Sequence, residues 1–108
     1  MSYSHRIADL QLAERLEAFG AVLIEGPKWC GKTTTAEQMC KSVIKMQDTE
    51  MQEEYAATAA SKPSLLLMGE TPCLIDEWQD APVLWDAVRT MVDKRQVPGQ
   101  FILTGSTV

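Results

Sequence analysis

The run Gly26-Pro27-Lys28-Trp29-Cys30-Gly31-Lys32-Thr33 fits the phosphate-binding pattern G-x-x-x-x-G-K-[ST]. The chemistry needs these residue types at this spacing. Two glycines let the backbone curl so that successive N–H groups point inward at a polyphosphate, the Lys32 ammonium reaches the outer phosphates, and the Thr33 hydroxyl suits Mg²⁺. Candidate phosphate contacts therefore run through Gly26, Pro27, Lys28, Trp29, Cys30, Gly31, Lys32, Thr33 and Thr34. An apolar run, Ala21 to Ile24, precedes the loop and a segment of helical spacing follows it, so the positive end of a helix adds to the same spot. A glycine turn carrying a solvated lysine is the competing reading, and the flanking elements weigh against it.

A second constellation is Cys73-Leu74-Ile75-Asp76-Glu77, a short apolar strand closing on two carboxylates. In a parallel sheet the ligand crevice lies at the carboxyl ends of the strands, which brings Asp76 beside the loop if both strands share one sheet. Neighbouring strand residues face opposite sides, so the two acids divide the work: Asp76, with Thr33, for the metal ion and Glu77 for the attacking water. Taken alone, a strand finishing in a solvated acidic turn is commonplace; after a phosphate loop in one small domain it carries weight. Lys32 and Glu77 are thus the candidate catalytic pair.

A third signal is Phe101-Ile102-Leu103-Thr104, a buried strand introduced by the turn dipeptide Pro98-Gly99 and ending in Thr104-Gly105-Ser106. Two readings stand level. Either Thr104 and Ser106 contact the outer phosphate or the attacking water, or the three residues are a plain turn.

Together the loop with its basic Lys28, the Asp76-Glu77-Trp78-Gln79 signature and the strand Phe101 to Ser106 resemble the N-terminal ATP-binding domain of a bacterial and archaeal family of AAA-type P-loop ATPases. The resemblance spans nearly the whole chain. It implies that the loop is Walker A, the acidic pair Walker B and the polar strand end sensor 1, with the sensor strand lying between the other two in the sheet. It also implies a following lid, an arginine finger and a nuclease-like C-terminal domain as the rest of such a protein.

Composition agrees with a single globular unit: 108 residues, 45% hydrophobic and 23% charged. The formal charge of -5 argues against a broad nucleic-acid-binding face, though net charge does not speak to a local basic patch. Met1 to Arg6 lacks an apolar signal region and no stretch approaches a membrane span, so a cytoplasmic location without membrane contact is the default expectation. Three cysteines without C-x-x-C spacing and a single histidine, His5, suit neither a disulfide framework nor a zinc site. Cys40 and Cys73 fit an apolar core, whereas Cys30, near a helix start, favours a thiolate; small or apolar residues routinely fill that loop position, which argues against a redox role.

The elements that must position these residues alternate. Ile7, Leu10, Leu12, Leu16 and Phe19 form a helical stripe, capped by Asp9 and stopped by Gly20, before a strand at 21–25. A helix is expected over 32–41 with Ala36, Met39 and Cys40 on one face, then a strand at 43–47, then an exposed helix over 48–60 ended by Pro63. Leu65 to Met68 reads as a helical turn or a strand, its place before Gly69 favouring a loop packed over the sheet edge. Asp80 or Ala81 caps a helix with Pro82 in its first turn and Leu84, Val88, Met91 and Val92 on one face. Trp85 falls one step off that stripe, at the rim of the core; Trp78 packs under the acidic pair; Trp29 either flanks the nucleotide or covers the helix beside it.

The expectation is an α/β fold, a P-loop three-layer α/β/α unit with a mostly parallel sheet, forming one incomplete domain over 1–108 truncated after the sensor strand. It binds ATP with Mg²⁺ and hydrolyses it. A nucleotide-binding interaction module without turnover and a small-molecule kinase are the alternatives, and a product assay separates them: free phosphate, nothing, or a phosphorylated acceptor. Because the implied order leaves residues 21–25 with a free side, self-association through that first strand is also expected.

Overall fold

The computed structural model describes residues 14–15, 18–26 and 32–106. Its elements run β1 (Ala21–Gly26), α1 (Lys32–Met39), β2 (Ser42–Lys45), α2 (Gln52–Ser61), a 3-10 turn (Pro63–Leu67), β3 (Cys73–Asp76), a second 3-10 turn (Trp78–Asp80), α3 (Val83–Arg95) and β4 (Phe101–Ser106). All strand pairs among the described residues are parallel, in the order β1-β4-β3-β2. The strand Phe101–Ser106 thus lies between the strand before the loop and the strand that ends in Asp76, as the resemblance implies. The fold is the expected α/β class.

A parallel sheet must be covered on both faces, and side-chain alternation sorts the strands into two cores. On one face Ile44, Cys73, Ile75, Phe101 and Leu103 pack with Ala59 of α2, Leu67 of the first 3-10 turn and Leu84, Val88 and Met91 of α3. On the other Val22, Leu74 and Ile102 meet Ala36 of α1, with Ile24, Met39 and Cys40 at the margin. The spacing of Leu84, Val88 and Met91 turns one stripe of α3 onto the sheet. That helix ends where Gln96 takes the left-handed conformation, φ 58°. Gly20 is needed for a close approach: a Cβ there would collide with Val92 of the same helix.

Several expected boundaries move. β1 extends to Gly26, α1 stops at Met39, and β2 is Ser42–Lys45 rather than 43–47. Residues 48–51 are turns, with the Asp48 carboxylate accepting from Glu50 N at 2.9 Å, so α2 begins only at Gln52. Leu65 to Met68 is neither strand nor simple loop. Pro63 opens a 3-10 turn that buries Leu67 and leaves Leu65 and Met68 exposed. Pro82 is the cap residue of α3 rather than part of its first turn. Phe19 is 61% exposed and so lies off any core stripe, while Ile7, Asp9, Leu10, Leu12 and Leu16 fall outside the described residues.

Candidate functional site

Strand register assembles the site. Gly26 pairs with Ser106, Ile24 with Thr104, and Thr104 with Asp76, so the carboxyl ends of β1, β4 and β3 share one edge of the sheet. Leu74, Ile102 and Val22 pack beneath α1; two residues further along each strand Asp76, Thr104 and Ile24 return to that same face. The helix over this face begins at Lys32, so the residues after the loop and the acidic strand end meet on one side of the sheet. The Thr104 hydroxyl, fully buried, donates to Asp76 Oδ1 at 2.6 Å. That donor is therefore engaged with the carboxylate.

Glu77 leaves the strand. Its backbone turns left-handed, φ 61° and ψ 51°, while its N–H still bonds Thr104 O at 2.7 Å. The expected strict alternation of the two acids gives way to this turn, which separates their directions by backbone rotation and not by the pleat. Glu77 is 4% exposed, and its Oε2 accepts a hydrogen bond from Gln79 Nε2. Gln79 and Trp78 lie over Gly105 of β4: a Cβ on that glycine would meet Gln79 Oε1 and Trp78 Nε1, each at 3.1 Å. β4 accordingly continues through Gly105 to Ser106, so the Thr-Gly-Ser segment is strand and not a turn. Trp78 stacks on Trp85 with ring centroids 5.1 Å apart, and its buried indole N–H has no hydrogen-bond partner among the described residues.

At the far side of the row Lys45 pairs in register with Asp76, and its ammonium meets Glu37 of α1 at 2.9 Å. The Glu37 hydrogen bond and charge push the Lys45 amine above its ordinary value. Burial raises the thiols of Cys73 and Cys40, so both are poor thiolates.

Of the residues the sequence singles out, Gly26, Asp76, Glu77, Thr104 and Ser106 are gathered by backbone register at one strand-end edge, and Lys32, Thr33 and Thr34 form the first turn of α1. Pro27, Lys28, Trp29, Cys30 and Gly31 lie outside the described residues. Two site-lining residues carried no chemical reading of their own. Gln79 appears in the sequence only as the close of the acidic signature, and Gly105 only as part of the Phe101 to Ser106 strand or of a plain turn. Their spacing from Glu77 and Thr104 was visible, but the contact between them depends on how two distant segments meet. Among the described residues no group of three or more His, Cys, Asp or Glu could hold a metal ion by itself. No helix of the described residues is long and apolar enough to cross a membrane.

Comparison with known proteins follows the same lines. Residues 18–108 match the family described as AAA domain. An uncharacterized protein of Mycobacterium tuberculosis and one of Mycobacterium bovis are each 32% identical over 107 residues, covering 98% of this chain and 24% of their own length. The chain thus spans about a quarter of the length of these curated relatives. No solved structure matches it.

Proposed function

The chain belongs to the AAA domain family, a nucleotide-binding, ATPase-like class, and from that premise we propose that it binds ATP with Mg²⁺ and hydrolyses it as one nucleotide-binding domain. The observation that carries this reading is the shared edge of β1, β4 and β3, with Asp76 and Thr104 on the face where α1 begins. In this reading the amides from Gly26 through Thr34 and the Lys32 ammonium hold the β and γ phosphates, aided by the positive end of α1. Thr33 and Asp76 supply the protein oxygens for Mg²⁺, which neutralises phosphate charge when bound. The Thr104 hydrogen bond supports this role because it fixes the Asp76 carboxylate in one orientation. Glu77 polarises water, and Ser106, at the end of β4 beside Gly26, senses the outer phosphate.

Titration calorimetry with ATP, in the presence and absence of Mg²⁺, tests the binding half. Saturable, Mg²⁺-enhanced binding that Lys32→Ala weakens is the expected result, and equal affinity in parent and variant would remove the loop from the site. Phosphate release tests the second half: Glu77→Gln should keep nucleotide affinity and lose turnover by roughly a hundredfold or more, the scale of general-base catalysis. Equal release by parent and variant would take Glu77 out of the mechanism.

A further inference from the structure

We propose that Gln79 is the positioning residue of the site: its side-chain amide, seated against Gly105 of β4, holds the Glu77 carboxylate in the orientation that turnover requires. The inference rests on the hydrolytic reading of Glu77 given above. Three observations support it. Glu77 sits in a left-handed turn just past the end of β3, so its side chain leaves the direction that the pleat sets. The hydrogen bond identified for its carboxylate comes from Gln79 Nε2, two residues along the same 3-10 turn. The other end of that amide, Oε1, lies where Gly105 has no side chain; a methyl there would be 3.1 Å away.

Each part constrains the next. Gly105 lies between Thr104, whose hydroxyl holds Asp76, and Ser106, which pairs with Gly26. The end of β4 therefore touches both acids, Asp76 directly and Glu77 through the amide. A carboxylate has two oxygens and about four lone-pair sites. The amide donation to Oε2 constrains the direction of the carboxylate, the arrangement in which a base is oriented by a third group. A glutamine serves better here than a cation, because a neutral donor orients the carboxylate without the competing attraction of a full charge for the water's developing hydroxide.

Two readouts test this. The first uses nucleotide-free protein: the Gln79 side-chain ¹⁵N-amide signals, identified by their disappearance in Gln79→Leu, should move in Glu77→Ala. Unmoved signals would mean that the amide does not hold Glu77, and the proposal falls. The second is steady-state phosphate release. Gln79→Leu and the length-conserving Gln79→Met should lower kcat about tenfold to a hundredfold with ATP affinity unchanged. If Gln79 acts through Glu77, adding Gln79→Leu to Glu77→Gln should cost nothing further, which a merely structural role would not produce. Full activity in both Gln79 variants, or additive losses in the double variant, overturns the proposal. A parent that releases no phosphate counts against the hydrolytic reading, and the amide signals then decide alone whether Gln79 holds Glu77.

Discussion

The two faces of the sheet are unequal. The face covered by α2, α3 and the first 3-10 turn carries a broad apolar core, with Phe101, Leu67, Ile75 and Leu84 fully buried. Among the described residues the face under α1 carries a narrower core of Val22, Ala36, Leu74 and Ile102 that gives way, at the strand ends, to Asp76 and Thr104. The candidate site sits where the apolar layer runs out. A parallel sheet places its loops and helix starts at the carboxyl ends of the strands, and polar groups there are tolerated only if they are paired. Among the described residues the broad face buries more apolar side chains, whereas the narrow face gives way to paired polar groups at the strand ends.

The strongest way to break this division is to open the broad face. Phe101→Ala removes a fully buried ring that also lies under the Arg95 guanidinium, 5.8 Å from its centroid. We expect about 3–5 kcal/mol of destabilisation, measured by urea unfolding. ATP affinity extrapolated to fully folded protein should stay unchanged. A loss of affinity beyond the unfolded fraction would show that the two faces are not separable.

The converse test lies on the narrow face. Lys32→Ala should weaken ATP binding by roughly 2 kcal/mol or more, because the phosphate charge is left facing backbone dipoles alone. Its unfolding midpoint without nucleotide should match the parent. Calorimetry and urea melts on the same samples separate the two effects, and a lowered midpoint with intact binding would reverse the assignment.

These expectations rest on residues that sequence reading reached unevenly. The stripe of Leu84, Val88 and Met91, the apolar β3 and the Phe101 strand were legible because burial imposes their periodicity directly on the chain. The strand order was reached through family resemblance, since periodicity carries no information about which strands lie side by side. β2 was misjudged at its end because it is an edge strand whose Val43 stays 39% exposed, so its alternation is weak. The left-handed turn at Glu77 and the seat of Gln79 against Gly105 were not legible. Both follow from segments far apart in the chain, the turn after β3 and the end of β4, packing against each other. In the candidate site the residue types were readable and their partners were not. Nothing in the chain from Asp76 to Thr104 announces the 2.6 Å hydrogen bond that joins them.

That bond sets the next prediction in size. Thr104→Val keeps the volume and removes the donor, leaving Asp76 without one of its partners. About 1.5–3 kcal/mol of stability should be lost, the range for a hydrogen bond to a charged acceptor. If Asp76 holds the metal ion, the Mg²⁺ enhancement of ATP binding should shrink as well, because the carboxylate is freed to rotate. Calorimetric titrations at several Mg²⁺ concentrations read this. An unchanged Mg²⁺ dependence would mean that the orientation of Asp76 is fixed elsewhere.

The smallest effect belongs to the ion pair between α1 and the edge strand β2, Lys45 with Glu37 at 2.9 Å. Both side chains are substantially exposed, 48% and 40%, so solvent screens the pair and Lys45→Met should cost less than about 1 kcal/mol. Its pH dependence has a definite sign. The Glu37 hydrogen bond and charge raise the Lys45 amine in the folded state, so the folded chain holds this proton more tightly than the unfolded one. The pair's contribution is therefore complete below the ordinary lysine value, and it declines as pH rises through the elevated folded value. Urea midpoints of parent and Lys45→Met should differ by a constant amount between pH 7 and about 9 and converge in stronger alkali, with the gap narrowing in 1 M salt. A gap that persists in both conditions would assign the contribution to the packing of the lysine stem against α1 and not to its charge.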